Sequence, residues 1–397
     1  TACIGLCAHR GDGAPAEQLL ADAAIALYEA KRRGHDSFET FRPSMRDERA
    51  ELALRESELR RAIDRGEFEV HYQPIARLDD MTLAGFEALV RWRHPKLGLL
   101  APESFISLAE QSGMIKEIGR IVLHETARQL GVWQRSFRQS EPIFVAVNIS
   151  SAQLIEPGLF EDIQNVLRRE SVARGSLKIE VTESLVMQSP ERARQVLERF
   201  KDLGIGIACD DFGTGHSSLS NLRKMPFDTI KIDKSFIAAD AEDERAQTIL
   251  DAIVGMGSSL GLAVVAEGIE SQEQIDRLGE LGCEFGQGFF IGQPMTARMV
   301  SDSLGGLPYA TTAVRSVISW LWERAMRSPT PAPAVVDLTA PAEDQRLPDL
   351  GIRARPEPRL APAAFAPVTV AEAPSFAPPA PPPPVAVERE TRPPAGL

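Results

Sequence analysis

Cysteine and histidine are scarce in this chain, four and six among 397 residues. Cys3, Cys7, Cys209 and Cys283 form no CxxC pair and no closely spaced even framework, which excludes a disulfide scaffold and predicts reduced thiols in a cytoplasmic protein. Positive charge is also in short supply: 44 Lys and Arg stand against 56 Asp and Glu, a formal net charge of -12. An acidic chain lacks the electrostatic footprint of a protein that grips long nucleic acid by its phosphates. Long apolar runs are missing too. None approaches the roughly 18 residues needed to span a bilayer, and no signal peptide is visible. Membrane contact is therefore expected only through a tether upstream of Thr1.

What is present divides by composition. Residues 1–43 hold a short apolar piece, TACIGLCAH, then the helical pattern AEQLLADAAIALYEAKRRG, with Leu19, Leu20, Ala23, Leu27 and Ala30 at helix spacing and Gly34 as the stop. Residues 44–66 are densely charged with sparse apolar points and read as an exposed linker helix. Residues 67–303 alternate. Eight apolar runs occur at 68–78, 83–92, 143–150, 177–184, 204–211, 229–236, 262–270 and 284–292, and from residue 93 on most gaps carry helical patterns. Strands alternating with helices predict a mixed α/β fold, a (β/α)8 TIM-like barrel. Only about four residues separate the first two runs, too few for a helical crossover, so the first strand is expected to run antiparallel. Residues 304–327 read as an amphipathic helix. Residues 328–397, with 18 of the 29 prolines, read as a disordered tail.

Polar residues interrupt the apolar runs at matching places. Glu87 ends GFE, Asn148 ends FVAVN, Glu180 lies in LKIEVTE, Asp210 and Asp211 close GIACDD, Lys231 lies in TIKID, Glu267 follows AVVA, and Gln287 lies in FGQGF. A single polar residue at a strand end is ordinarily a satisfied cap. Seven strands that each carry one bring them to the barrel face where active sites are built. Five carboxylates near one point repel each other, and burying them unpaired is costly, so either some stay protonated or cations sit among them. Carboxylates with one amide oxygen form a hard donor set suited to Mg2+ or Mn2+, and the absence of histidine argues against zinc. Adjacent aspartates on a strand end point different ways. Asp210 is thus placed to bridge two ions and Asp211 to bind only the second, the pair standing roughly 3.5–4 Å apart as in clamps for in-line displacement at phosphorus.

These residues also match a family. EALVRW at 87–92, preceded by YQP at 72–74 and followed by VNIS, EVTES, DDFGTGHSSL, IKIDKSF, AEGIES and GQGF, resembles the EAL-domain cyclic-di-GMP phosphodiesterases, in their order and spacing over residues 52–302. The resemblance implies hydrolysis of cyclic di-GMP, a bacterial second messenger, to linear pGpG. It implies that Glu87, Asn148, Glu180 and Asp210 hold one ion, and that Asp210 and Asp211 hold a second, which Glu267 reaches through water. It implies that Lys231 orients the attacking water, that Glu183 braces the loop after Asp211, and that Gln287 positions the water or the phosphate. Gln73, Leu89, Arg91 and Asp211 would contact substrate, and Gly213 and Gly215 would let the loop turn sharply. His71, His94 and His124 are expected to pack or cap.

His216, Glu284 and Gln293 depart from the family's usual tyrosine, aspartate and basic residue, but none of them is a metal ligand. The loop after Asp211 lies at the family's dimer face, so a homodimer is expected. ACIGLC and LLADAAIALYEAKRRG resemble the last strand and helix of GGDEF diguanylate cyclase domains, with Ala24 in place of the usual aspartate and the defining signature absent, so this chain is not expected to make cyclic di-GMP. Two other readings stand beside the phosphodiesterase: a cyclic-di-GMP receptor with little or no turnover, and an interaction protein acting through its Pro-rich tail.

Overall fold

The computed structural model describes residues 2–8, 15–34, 36–137, 142–213, 222–238 and 244–305. The amphipathic helix and Pro-rich tail expected beyond these, together with Gly215, His216 and most of the loop after Asp211, lie outside the described residues.

The strands in chain order are β1 (Ile4–Leu6), β2 (Phe38–Thr40), β3 (Phe68–Arg77), β4 (Leu83–His94), β5 (Gly98–Leu100), β6 (Phe144–Asn148), β7 (Leu177–Thr182), β8 (Gly206–Phe212), β9 (Thr229–Ile232), β10 (Ala263–Ala266), β11 (Phe285–Gln287) and β12 (Met295–Thr296). Eight of them close a barrel in the order β3, β11, β10, β9, β8, β7, β6, β4, with β3 and β4 pairing to complete the ring. β4 and β6 through β11 run parallel, while β3 is antiparallel to both its neighbours, as the short connection predicts. β5 and β12, too short to show a period in sequence, add to β4 and β3 at the edges of this ring.

Alternate residues of each stave face outward and are buried beneath the surrounding helices. Tyr72 and Phe86 pack on Trp133 of the helix Ile115–Ser136, with ring centroids 4.8 and 5.3 Å apart. The inward residues form two levels. At the floor, Phe144 and Phe285 meet edge to face at 6.3 Å, the Lys178 ammonium lies 3.8 Å over the Phe144 ring, and Ile75, Ala84 and Val265 fill the remainder. The polar residues occupy the other level, at the mouth where the parallel strands end. A packed floor leaves the mouth as the face open to a ligand.

Residues 2–65 form a β-α-β unit and a long helix. β1 and β2 pair in parallel, and the helix Ala16–Arg33 lies so close to β1 that a Cβ at Gly5 would fall 2.2 Å from the Ala23 carbonyl oxygen. The helix presents most of the face its spacing predicts, with Ala30 buried and Leu19, Ala23 and Leu27 half-buried, but it is rotated from it at one edge. Leu20 is exposed, while Asp22, Ala26 and Ala30 are buried, because Asp22 accepts two hydrogen bonds from Arg46 of the next helix (2.7 and 2.6 Å) and turns that side inward. The linker helix, Ser44–Arg65, is likewise not merely exposed. Leu59 and Ala62 join the barrel core, and Arg55 is buried against Glu51 at 2.5 Å, a narrow face hidden in sequence by the surrounding charge.

Candidate active site

Lys231 sits at the centre of the mouth. It is the third residue of β9, faces inward by strand alternation, and is 1% exposed. Its ammonium lies 2.6 Å from Glu267, 2.9 Å from Glu180, and 3.3 Å from both Glu87 and Asp210. Four carboxylates from four staves thus share one buried cation, which answers in part the expectation that cations sit among them.

Glu87 is the hub of a hydrogen-bond chain. Its Oε1 accepts from Asn148 Nδ2 at 2.7 Å, and its Oε2 accepts from Gln287 Nε2 at 2.7 Å. Gln287 Nε2 also donates to Gln73 Oε1 at 3.1 Å, and Gln73 Nε2 donates onward to the Gly292 carbonyl at 3.1 Å. The register of β3 against β4 sets Gln73 directly opposite Glu87, so the chain follows from strand pairing.

Burial and charge pull these groups in opposing directions. Burial raises the Glu87 carboxyl, but Lys231 and the amide donors of Gln287 and Asn148 outweigh it and hold the group below its ordinary range. Glu180, equally buried, moves the other way. Burial pushes it well up, Lys231 alone opposes this, and Glu87 and Asp210 add repulsion. The two differ because Glu87 has the amide donors and Glu180 has none. Glu267 is pushed up to about 7 by burial, against the pull of Lys231. Burial disfavours the Lys231 ammonium, but the surrounding carboxylates prevail and raise it well above its usual value.

Asp210 and Asp211 do not simply diverge as neighbours on a regular strand. The register of β8 against β9 shifts between Cys209 and Phe212, and Asp211 adopts a left-handed φ of 52°. The irregularity bends the strand end so that both carboxylates face the site. Among the described residues, Asp210, Asp211 and Glu267 bring carboxylate oxygens within 4.8 Å of one another. Asp210 Oδ1 is buried without a hydrogen-bond donor beyond its ion-pair contact with Lys231. An oxygen-only set with an unsatisfied buried carboxylate oxygen fits a hard divalent cation. Buried Glu183 Oε2 accepts from Gly213 N at 3.1 Å, where Gly213 turns the chain at φ 98°.

Arg91 shares the face of β4 with Glu87 and half-buried Leu89. Arg91 as a whole is 6% exposed, and its Nη1 donates to the neighbouring Val90 carbonyl at 2.8 Å. Burial lowers its pKa, with Glu103 and Glu87 pulling the other way. The histidines stand apart from the carboxylates. His94 Nδ1 accepts from Lys96 N and Leu97 N in a turn, and His71 Nε2 contacts Glu69 Oε1 at 2.9 Å. Sequence reading missed the clamp beside it, in which Arg93 donates from Nε and Nη2 to the Glu69 carboxylate. Strand pairing sets Arg91 opposite Glu69 and brings Arg93, two residues on along the same face, within its reach, a relation that only the register supplies. The mouth therefore gathers Glu87, Asn148, Glu180, Asp210, Asp211, Lys231, Glu267, Gln287 and Gln73. Arg91 and Leu89 stand on its β4 wall, and Glu183 stands behind the Asp211 turn.

A family model described as EAL domain matches residues 56–294. The bifunctional diguanylate cyclase/cyclic di-GMP phosphodiesterase MucR of Pseudomonas aeruginosa is 38% identical over 304 residues, 77% of this chain and 44% of MucR. The cyclic di-GMP phosphodiesterase PdeR of Escherichia coli is 35% identical over 302 residues, 75% of this chain and 44% of PdeR. Among solved structures, the PaMucR phosphodiesterase in complex with c-di-GMP is 40% identical and superposes with a TM-score of 0.59, covering 62% of this chain and 98% of that one. The chain spans less than half the length of the curated relatives it matches.

Proposed function

The chain belongs to the EAL domain family, and we propose that it is a metal-dependent phosphodiesterase that hydrolyses cyclic di-GMP to linear pGpG. The observation that carries this reading is the convergence of four carboxylates on one buried lysine at the barrel mouth, ringed by Asn148, Gln287 and Gln73. Glu87, Asn148, Glu180 and Asp210 would hold one divalent ion and Asp210 and Asp211 a second, with Glu267 reaching it through water; Mg2+ or Mn2+ suits this donor set. Bound there, the ions supply Lewis-acid polarisation of the phosphate and acidify the attacking water.

The protein's own residues do the rest. Lys231 holds the attacking water and stabilises its hydroxide form, its charge secured by the carboxylates around it. Glu87, Lys231 and Gln287 form one connected unit, so the water and the phosphate are positioned by groups that fix one another. Arg91, buried and poor in partners, is available to a phosphate oxygen. Gln73, Leu89 and Asp211 complete the substrate contacts, and Glu183 secures the Asp211 turn. Water adds at phosphorus and the P–O3′ bond breaks, leaving a 5′-phosphate on pGpG.

Around the barrel, residues 1–43 read as the last β-α-β unit of a GGDEF-like domain, a reading supported by the parallel pairing of β1 and β2. Residues 44–66 link it to the phosphodiesterase at 67–303, and a homodimer and cytoplasmic placement of the catalytic part follow from the same family reading. Among the described residues no helix is long and apolar enough to cross a membrane. The test is to incubate the full chain with cyclic di-GMP and Mg2+ or Mn2+. pGpG is expected, and Glu87→Ala is expected to abolish it while circular dichroism stays unchanged. Nucleotide bound by calorimetry with no product after long incubation would leave a receptor instead.

A further inference from the structure

Phe289 is 63% exposed, the most exposed large apolar side chain among the described residues of the barrel. Its neighbour Phe290 packs on the core, and Phe289 does not. It stands two residues after Gln287, on the turn that leaves β11 at the mouth, and two residues of chain reach about 7 Å at most.

This turn is held firmly. Gln287 N–H groups bind Glu87 and Gln73 on one side, and Gln73 Nε2 binds the Gly292 carbonyl on the other, so two site glutamines grip both ends. Inside it, Ile291 N and Gly292 N donate to the Gly288 carbonyl at 3.1 and 2.9 Å. Ile269 N donates to the Gln287 carbonyl at 3.0 Å, and Phe290 N to the Ile269 carbonyl at 3.1 Å. Gly288 lies so close to this neighbouring loop that a Cβ there would fall 2.2 Å from Ile269 N and O. The exposed ring is thus carried on a preorganised support at the site's edge rather than on a loose loop.

We propose that Phe289 is a base-stacking residue of this site, presenting its ring to one purine face of a cyclic dinucleotide whose phosphate lies over the Glu87–Lys231 cluster. The proposal rests on the phosphodiesterase reading above. A cyclic dinucleotide carries two bases on a compact sugar-phosphate ring, and anchoring a phosphate deep in the mouth leaves the bases at the rim. Leu89 on β4 and Phe289 just after β11 belong to the two strands that flank β3, one on each side of the strand that carries Gln73. A ring carried on a backbone already held in place, with two side-chain torsions to settle, stacks at a smaller ordering cost than one on a mobile loop would incur.

The test compares wild type, Phe289→Ala and Phe289→Trp in steady-state hydrolysis of cyclic di-GMP and, with the same nucleotide, in calorimetric titration. Base–aromatic stacking weakens roughly 5- to 150-fold on alanine substitution, so Phe289→Ala is expected to raise KM and Kd about fivefold or more with kcat within twofold, and Phe289→Trp to restore both. A ring that served only the fold would lower kcat and the denaturation midpoint and would not be rescued by tryptophan. Unchanged KM and Kd in Phe289→Ala beside an active wild type overturn the stacking role alone. A wild type that binds but yields no pGpG overturns the phosphodiesterase reading, and the Kd ratio then still decides the stacking role. A wild type that neither binds nor cleaves the nucleotide overturns both.

Discussion

Lys231→Met preserves the buried stem and deletes the charge, leaving Glu87, Glu180, Asp210 and Glu267 facing one another without their cation. Removing one partner from a buried ion cluster costs about 3–5 kcal/mol, and contacts of 2.6–3.3 Å from four carboxylates put this site in that range. The sign of the pH dependence follows from the shifts. The Lys231 pKa is raised, so its stabilising contribution is present in full below its unfolded value and is lost only as pH rises through the higher folded one. Its own charge is therefore constant between pH 5 and 8, and any pH dependence there comes from the carboxyls around it.

Glu180 and Glu267 are also raised, so the native state holds protons that the unfolded state releases above about pH 4.5. Stability accordingly falls as pH rises from there to about 7, by about 3 kcal/mol for Glu267. Without the ammonium these carboxyls move up further, so the variant's decline continues past neutrality. Urea unfolding followed by circular dichroism, in chelator from pH 5 to 8.5, is expected to show a deficit against wild type that is largest at high pH and narrows toward pH 5. Equal midpoints at pH 8 would refute the view that Lys231 neutralises the cluster.

Mn2+ or Mg2+ at a hundredfold excess over Kd is expected to stabilise the fold by about 2.7 kcal/mol, more at pH 8 than at pH 5.5 because the ligands must be ionised; thermal denaturation with and without the ion checks this. Glu183→Ala strips the Gly213 N–H of its acceptor and is expected to cost about 1–3 kcal/mol and to lower kcat more than it raises KM. An unchanged melting temperature would discard the brace. Trp133→Ala removes the ring on which Tyr72 and Phe86 pack and is expected to cost about 3–5 kcal/mol by urea titration, with the surviving folded fraction still binding nucleotide.

Much of this was legible before any coordinates. The eight staves coincide with the eight apolar runs, because a strand covered by helices on its outer face and packed on its inner one reads as a short continuous apolar stretch. The reversed first stave was legible from its short connection alone. β5 and β12, three and two residues long, carry no period to read. At the site, residue types and strand-end positions identified the members, but pairing alone revealed their relations. That Gln73 lies opposite Glu87, and that Lys231 is shared four ways, depends on register and barrel closure. The bulge at Asp210 and Asp211 left no mark in the sequence: the pair is expected at one site, but regular alternation turns neighbours apart, and the register shift with the left-handed Asp211 is what brings both together. The buried Asp22 was missed because its partner, Arg46, lies on another helix.

The direction of β3 decides where the chain enters the barrel. Seven staves start at the floor, while β3 starts at the rim. The helix Ser44–Arg65 therefore delivers the chain beside the catalytic mouth, and Gly66, at φ 65°, makes the corner. The next residue, Glu67, is latched to β4: its carbonyl accepts from Arg93 N at 2.8 Å and its carboxylate from Trp92 Nε1 at 3.1 Å. Arg91 is the adjoining residue and Glu87 lies further along the same strand. The helix is thus tied to the stave bearing both by two polar contacts at its exit, in addition to the apolar anchorage of Leu59 and Ala62.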